Sequence, residues 1–214
     1  MTHQNFEKYA KEKPMNGNIS NVFMEFFKKN IEYKNKDLVV LDFGCGDGKY
    51  FSFFKQYFKE SNIYGADISQ IRIDRCKNIG WSKIQKINSM EKLPFEDNFF
   101  DFINLDQVIE HIQKEEVDFY LNEMRRILKT DGKILVITPN YPIKRLCDFA
   151  MAAKLRKAAR LKDDPTHVTL FNFKKLKKVF IRFSHTSLYP TGGIFYKYIP
   201  INFFSHKIIG IIKK

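Results

Sequence analysis

Seven consecutive residues constrain this chain more than any others: Asp42-Phe43-Gly44-Cys45-Gly46-Asp47-Gly48. They follow Leu38-Val39-Val40-Leu41, a continuous apolar run that reads as a strand buried on both faces. They precede KYFSFFKQYFKE, in which Tyr50, Phe53, Phe54, Tyr57 and Phe58 recur at helical spacing. Three glycines between a strand and a helix let the backbone turn sharply and approach a ligand closely.

The spacing is G-x-G-x-G, not the G-x-G-x-x-G of dinucleotide binders. Asp42, two residues before the first glycine, would repel a pyrophosphate and suits a ligand with a cationic end. Asp67 closes the next strand-like run, Ile63-Tyr64-Gly65-Ala66, 19 residues after Gly48. A carboxylate there can accept both hydroxyls of a ribose. An adenosine ligand with an ammonium and no phosphate meets these conditions, and S-adenosylmethionine is such a ligand.

Farther along, strand-like and helix-like segments alternate, which predicts βαβ units and a mainly parallel sheet. Ser69 is placed to cap a helix over QIRIDRCKN. Ile84 and Ile87 mark a weak third strand, and Phe100 to Leu105 a fourth. KEEVDFYLNEMRRILK carries Val117, Tyr120, Leu121, Met124, Ile127 and Leu128 on one helical face, with acids leading and bases ending. Asp131-Gly132 is expected to stop that helix before a fifth strand, Lys133 to Thr138. A basic helical stretch over Lys144 to Leu161, a helix from Asn172, a strand over Phe183 to Tyr189 and a last strand over His206 to Ile212 complete the reading.

Four motifs in this order resemble the class I S-adenosylmethionine-dependent methyltransferases, in the branch of UbiE-like and UbiG-like small-molecule enzymes. They are VVLDFGCGDG, GADIS, LPFEDNFFDFINLDQVIEHI and LKTDGKILVITPN. The resemblance is strong over about residues 36–140 and weak elsewhere. It implies an α/β, Rossmann-like fold: a seven-stranded, mostly parallel sheet with helices on both faces and the last strand antiparallel. It divides the chain into N-terminal cap helices (1–35), a cofactor-binding core (36–140), a basic acceptor-binding lid insertion (141–205) and the last strand (206–214).

By matching positions, the resemblance implies that Gly44 and Gly46 hold the aminoacyl part of S-adenosylmethionine, with Asp42 orienting it. Asp67 would bind the ribose and Ile68 would pack on adenine. Leu105 and Asp106 would flank the methionine portion, and Tyr9 would reach the cofactor from the N-terminal segment. Where relatives often carry an Asp before the Leu-Pro-Phe, this chain has Ser89, so adenine recognition would rest on its hydroxyl or on backbone. Some relatives bind a divalent metal through E-x-x-E-H and a further His. Here Gln107 replaces the first carboxylate ahead of Glu110-His111, removing a hard anionic ligand, and no metal is expected. The other N-terminal aromatics, Phe6, Phe23, Phe26 and Phe27, are expected in the core.

Methyl transfer is an in-line displacement, in which a protein mainly aligns the reactants and excludes water. An oxygen acceptor of high pKa also needs its proton removed. His167 and His111 are the base candidates, His167 the better one. His3 sits near the N-terminus, and His185 and His206 fall at the sixth and seventh strands.

Charge points to the acceptor. The chain carries a net charge of +13, and residues 141–214 hold 16 of its 37 basic but only 3 of its 24 acidic residues. Seven of those bases, Lys144, Arg145, Lys154, Arg156, Lys157, Arg160 and Lys162, follow the fifth strand. There they would attract phosphate or carboxylate. The acceptor expected is a small anionic metabolite, such as a nucleotide-linked or phosphorylated sugar O-methylated in glycan or capsule assembly. The rival readings are a quinone or lipid-linked acceptor at a membrane surface, an RNA methyltransferase, and a non-catalytic S-adenosylmethionine-binding protein. Nucleic acid is disfavoured, because the chain has no NPPY-like motif and no appended recognition module. Peripheral membrane contact would use Ile194 to Ile212. There is no transmembrane run and no secretory h-region, and Cys45, Cys76 and Cys147 form no CxxC pair. These features predict a cytoplasmic protein.

Overall fold

The computed structural model describes residues 3–14, 17–31, 34–155, 164, 166–191 and 205–214. Its centre is strand β1 (Val40–Phe43), buried along its whole length. It pairs in parallel with β2 (Ile63–Asp67) on one side and β4 (Phe100–Asp106) on the other. β3 (Ile84–Lys86) extends the sheet beyond β2, and β5 (Leu128–Pro139) extends it beyond β4. β7 (Lys207–Lys213) lies antiparallel between β5 and β6 (His185–Thr191), giving the order β3-β2-β1-β4-β5-β7-β6. The expected seven-stranded sheet, with its last strand antiparallel, is present.

Strand alternation divides the core in two. Leu41, Phe43, Phe100, Ile134, Val136 and Ile208 face the side covered by α5 (Val117–Ile127) and α7 (Phe173–Val179). Val40, Phe102, Leu135, Ile137 and Ile209 face the other side. That side holds α2 (Asn21–Asn30), α3 (Phe51–Phe54) and α4 (Gln70–Asn78). The helix expected from the aromatic spacing after the glycine loop is a single turn, Phe51–Phe54, continued by non-helical turns, yet the spaced aromatics still gather on one partner. Phe27 from α2 sits among Phe53, Phe54, Tyr57, Phe58 and Phe102, with ring centroids 5.3–6.0 Å apart.

Three expected boundaries move. β1 starts at Val40, not Leu38, and takes in Asp42 and Phe43. α5 ends at Ile127, because Leu128 is already extended and pairs with Phe100. Asp131-Gly132 is therefore part of β5, where the register slips between Phe100 and Phe102. The basic helix after β5 is α6 (Ile143–Leu155), and residues 156–163 lie outside the described residues. So do Arg156, Lys157, Arg160 and Lys162, and most of the Ile194 to Ile212 segment considered for membrane contact. α1 (His3–Glu12) packs on α4, which brings the N-terminal segment to the carboxyl ends of the parallel strands.

Phe27→Ala would empty the centre of the aromatic cluster. It is expected to cost about 3–5 kcal/mol in urea unfolding, with near-native secondary structure by circular dichroism in the absence of denaturant.

Candidate active site

The glycine loop is held from below by β2. The amides of Gly44 and Cys45 both donate to the Ala66 carbonyl, at 2.8 and 3.1 Å. Gly44, Gly46 and Gly48 all have positive φ (71°, 56° and 83°), where a side chain is strained. A Cβ on Gly44 would also stand 2.5 Å from Val108 Cγ2, so the loop passes Val108 with no room for one. The Gly46 amide donates to Asp67 Oδ2 at 2.9 Å, and the Ser69 amide donates to Asp67 Oδ1 at 2.9 Å. One carboxylate thus ties the glycine loop to the start of α4. Burial nevertheless pushes its pKa up, with those two amides pulling against the rise.

Above this rim lies a cavity of about 360 Å³, within the range of small-ligand sites. Its lining includes Gly44, Gly46, Asp67, Ile68 and Ser89, and Tyr9 from α1. Asp42 lies beneath the loop, 2 % exposed, and is not on this wall. Its Oδ1 accepts from Asn104 Nδ2 at 2.8 Å, its Oδ2 has no partner, and burial pushes its pKa up to about 7.

Two expected contacts are displaced. The Leu105 side chain is fully buried in the core, and Asp106 turns to Tyr50 Oη (2.6 Å) and Lys49 Nζ (3.4 Å). The chain leaves β4 through Gln107, which has φ 57°, so Gln107 and Val108 line the cleft in their place. Gln107 Nε2 is buried with no partner, a donor available to a ligand in the cleft. Ser89 lines the cleft with its hydroxyl donating to Glu116. Phe6, expected in the core, lines the cleft beside Tyr9.

The cavity is also lined by Asp164, Thr166 and His167, and by His111 from the 3-10 turn Ile109–His111. The amides of Val168 and Thr169 both donate to the Glu110 carbonyl. His111 Nδ1 lies 3.0 Å from the Thr166 carbonyl, and His167 Nδ1 lies 2.8 Å from Tyr141 Oη. The two imidazoles meet edge to face, with centroids 4.8 Å apart. Burial, reinforced by His167, holds the His111 pKa down to about 4, so its ring is neutral at pH 7. Burial works against Asp164 as an anion, yet the Thr166 hydroxyl and amide and the Tyr9 hydroxyl donate to it and hold it at about 2. Asp163 and Pro165 lie outside the described residues. His185 is exposed in β6 against Ser187, and His206 adjoins β7, so neither is at the cleft.

Glu110, His111 and His167 each bring one donor atom within 4.8 Å of the others. Burial pushes the Glu110 pKa up to about 8, so at neutral pH it supplies no anion, and Gln107 stands where a second carboxylate would. Two imidazoles and a single acid, with no second carboxylate, suit a hard divalent cation poorly.

Several contributors carried no sequence signal. Glu7 from α1 accepts from the Ser69 hydroxyl (2.9 Å) and the Gln70 amide (2.5 Å), so it caps α4 from outside. Arg72 lines the cleft and pairs with Asp47 at 3.4 Å. Tyr141 meets its histidine partner across 26 residues of chain.

Residues 41–136 match the family model of a methyltransferase domain. This stretch is a class I S-adenosylmethionine-dependent methyltransferase domain. An uncharacterized protein of Methanocaldococcus jannaschii is 40 % identical over 113 residues, 52 % of this chain and 45 % of that protein. A demethylmenaquinone methyltransferase of Lactobacillus johnsonii is 30 % identical over 125 residues, 55 % of this chain and 50 % of the other. The chain thus spans half or less of the curated relatives it matches. The crystal structure of an S-adenosylmethionine-dependent methyltransferase from Archaeoglobus fulgidus superposes with a TM-score of 0.65, each chain covering all of the other at 19 % identity, and shares the fold. The cofactor of this methyltransferase domain is S-adenosylmethionine, and the cleft suits it. The Gly44 backbone passes where no side chain fits, the Asp67 carboxylate stands at the rim, and a buried amide donor lacks a partner. No helix among the described residues is long and apolar enough to cross a membrane.

The buried Glu110 acid gives a stability test. Its folded pKa of about 8 lies above the value of 4.5 in a free chain. The stability linked to its neutral form is therefore complete below 4.5 and lost as pH rises towards 8. Asp42 acts in the same sense up to about 7, whereas His111 acts oppositely, losing stability as pH falls from 6.5 towards 4. Glu110→Gln cannot ionise, so it should lose less stability than wild type between about pH 5 and pH 8. The expected difference is on the order of 2 kcal/mol in urea midpoints. Identical pH slopes for the two proteins would show that Glu110 is charged in the fold.

Proposed function

We propose that this chain transfers a methyl group from S-adenosylmethionine to a hydroxyl oxygen of a small anionic acceptor in the cytoplasm, such as a nucleotide-linked or phosphorylated sugar. One observation carries the reading. A single cavity is lined both by the glycine loop with Asp67 and by two hydrogen-bonded imidazoles, His111 and His167.

When bound, S-adenosylmethionine supplies a methyl group already activated on a sulfonium. The residues of the chain do the rest. Gly44 and Gly46 present backbone to the aminoacyl part, Asp67 accepts from the ribose, and Ile68 and Ser89 flank the adenine. Asp42, below the loop, acts on that end through its electrostatic field. Gln107 and Val108 take the place beside the methionine portion first expected of Leu105 and Asp106. Phe6 and Tyr9 close the cleft from α1 and exclude water. His167 removes the proton of the acceptor hydroxyl, and neutral His111 orients the acceptor beside it.

The anionic acceptor is supported by two cations beside Tyr141, of which Lys144 also pairs with Asp148. Lys144 Nζ and Arg145 Cζ stand 5.7 and 5.6 Å from the centroid of Tyr141, the ring that touches His167. The bases at Arg156, Lys157 and Arg160 follow in sequence. The compartment is supported by three free cysteines. A second reading, C-methylation of a quinone, is favoured by the identity to the demethylmenaquinone methyltransferase.

Incubation with methyl-labelled cofactor and a fractionated metabolite extract, read by mass spectrometry, separates the two acceptors. Label should appear on an anionic, base-stable product; label on a quinone ring carbon would select the second reading. His167→Gln should keep cofactor affinity by calorimetry and lose about 10²-fold in turnover, and wild-type turnover would remove it from the reaction. Asp67→Asn should instead weaken cofactor binding about tenfold. Treatment with a chelator should leave turnover unchanged. Loss restored by a divalent cation would reassign Glu110, His111 and His167 to metal binding.

A further inference from the structure

We propose that Tyr141 is a positioning residue that holds His167 in its Nδ1-protonated tautomer, so that Nε2 is the nitrogen that takes the acceptor's proton. This rests on the base role given to His167 above. A neutral imidazole carries one N–H, and its partners decide where. For His111 the partner is the Thr166 carbonyl, which can only accept, so His111 carries its proton on Nδ1. For His167 the partner is a phenol oxygen, which can do either. If Nε2 is to receive a proton, Nδ1 must already hold one, and the atom 2.8 Å away to accept it is Tyr141 Oη.

Tyr141 is built for a fixed position. It lies where β5 gives way to α6, 5 % exposed, and its amide donates to the Phe171 carbonyl at 2.7 Å. Lys144 and Arg145 stand over its ring, an attraction that resists rotation of the side chain. The contact also favours the transfer itself. When His167 gains a second proton, its Nδ1–H bond to Tyr141 becomes charge-assisted and roughly doubles in strength. Tyr141 therefore stabilises the protonated base more than the resting one, which is the condition for a contribution to rate.

The other groups around His167 act in both directions. Asp164, whose carbonyl accepts the His167 amide, favours a positive ring. Tyr9 donates to that same carboxylate from α1. Lys144 and Arg145 from α6 oppose it, Lys144 offset by its ion pair with Asp148; Arg72 from α4 opposes a charge on the adjoining His111, and His111 and Glu110 are neutral at pH 7. The Tyr141 contact is the one in this set that is directional at Nδ1.

The test is 15N NMR of the full chain with labelled histidine, together with the Tyr141→Phe variant. In wild type, His167 should show a protonated Nδ1 and an unprotonated Nε2. In Tyr141→Phe, kcat should fall about tenfold, and the acid limb of its pH profile should move about one unit lower, because the protonated ring has lost its acceptor. The KM for the methyl donor should not change. An Nε2-protonated ring in wild type overturns the proposal, as does a Tyr141→Phe enzyme with wild-type kcat and pH profile. If the variant fails to fold, the wild-type tautomer alone decides. Turnover of His167→Gln tests the base role separately, so failure of that role and failure of the positioning are distinguishable.

Discussion

The cleft depends on where one buried carboxylate sends its two oxygens. Asp67 takes the Gly46 amide on one oxygen and the Ser69 amide on the other. The glycine loop and the start of α4 therefore cannot drift apart without leaving a buried acceptor unmet, at a cost of about 1–3 kcal/mol. Each oxygen keeps a further lone pair, so the same group that holds the rim can still receive a ligand. The loop needs this tie because its three positive-φ glycines give it little rigidity of its own.

The second support comes from α1. Glu7 caps α4 through the Ser69 hydroxyl and the Gln70 amide, and Tyr9 reaches across to Asp164. These contacts fasten the N-terminal helix both to α4 and to Asp164. Asp164 in turn accepts from Thr166, whose carbonyl faces His111. A chain of hydrogen bonds thus runs from the donor rim through α1 to the imidazole pair. It gives the wall around the histidines a definite shape.

The parts legible in the sequence are those whose cause is local. A continuous apolar run made β1, three glycines made the turn, and helical spacing of aromatics made the face on which Phe27 packs. Ser69 caps α4 as its position suggested. The parts that escaped depend on contacts distant in sequence. Glu7 and Ser69 are 62 residues apart, and Tyr9 and Asp164 are 155 apart. The α5–β5 boundary moved because pairing of Leu128 with Phe100 overrides a good helical pattern. Leu105 was misplaced for a geometric reason. Strand alternation sends it to the core, and only the positive-φ turn at Gln107 brings the chain back to the cleft.

Burial also decides which groups beneath and around the cleft carry charge. Asp42 and Glu110 are raised to about 7 and 8, and His111 is lowered to about 4. In each case desolvation is the largest cause, and it moves acids and bases in opposite directions toward neutrality. Asp164 is the exception, because three donors outweigh the same penalty. A proton removed from an acceptor would therefore create its positive charge beside a ready anion and next to a phenol able to accept from the new N–H. In a cleft partly closed to water that charge is weakly screened by solvent, which strengthens both interactions.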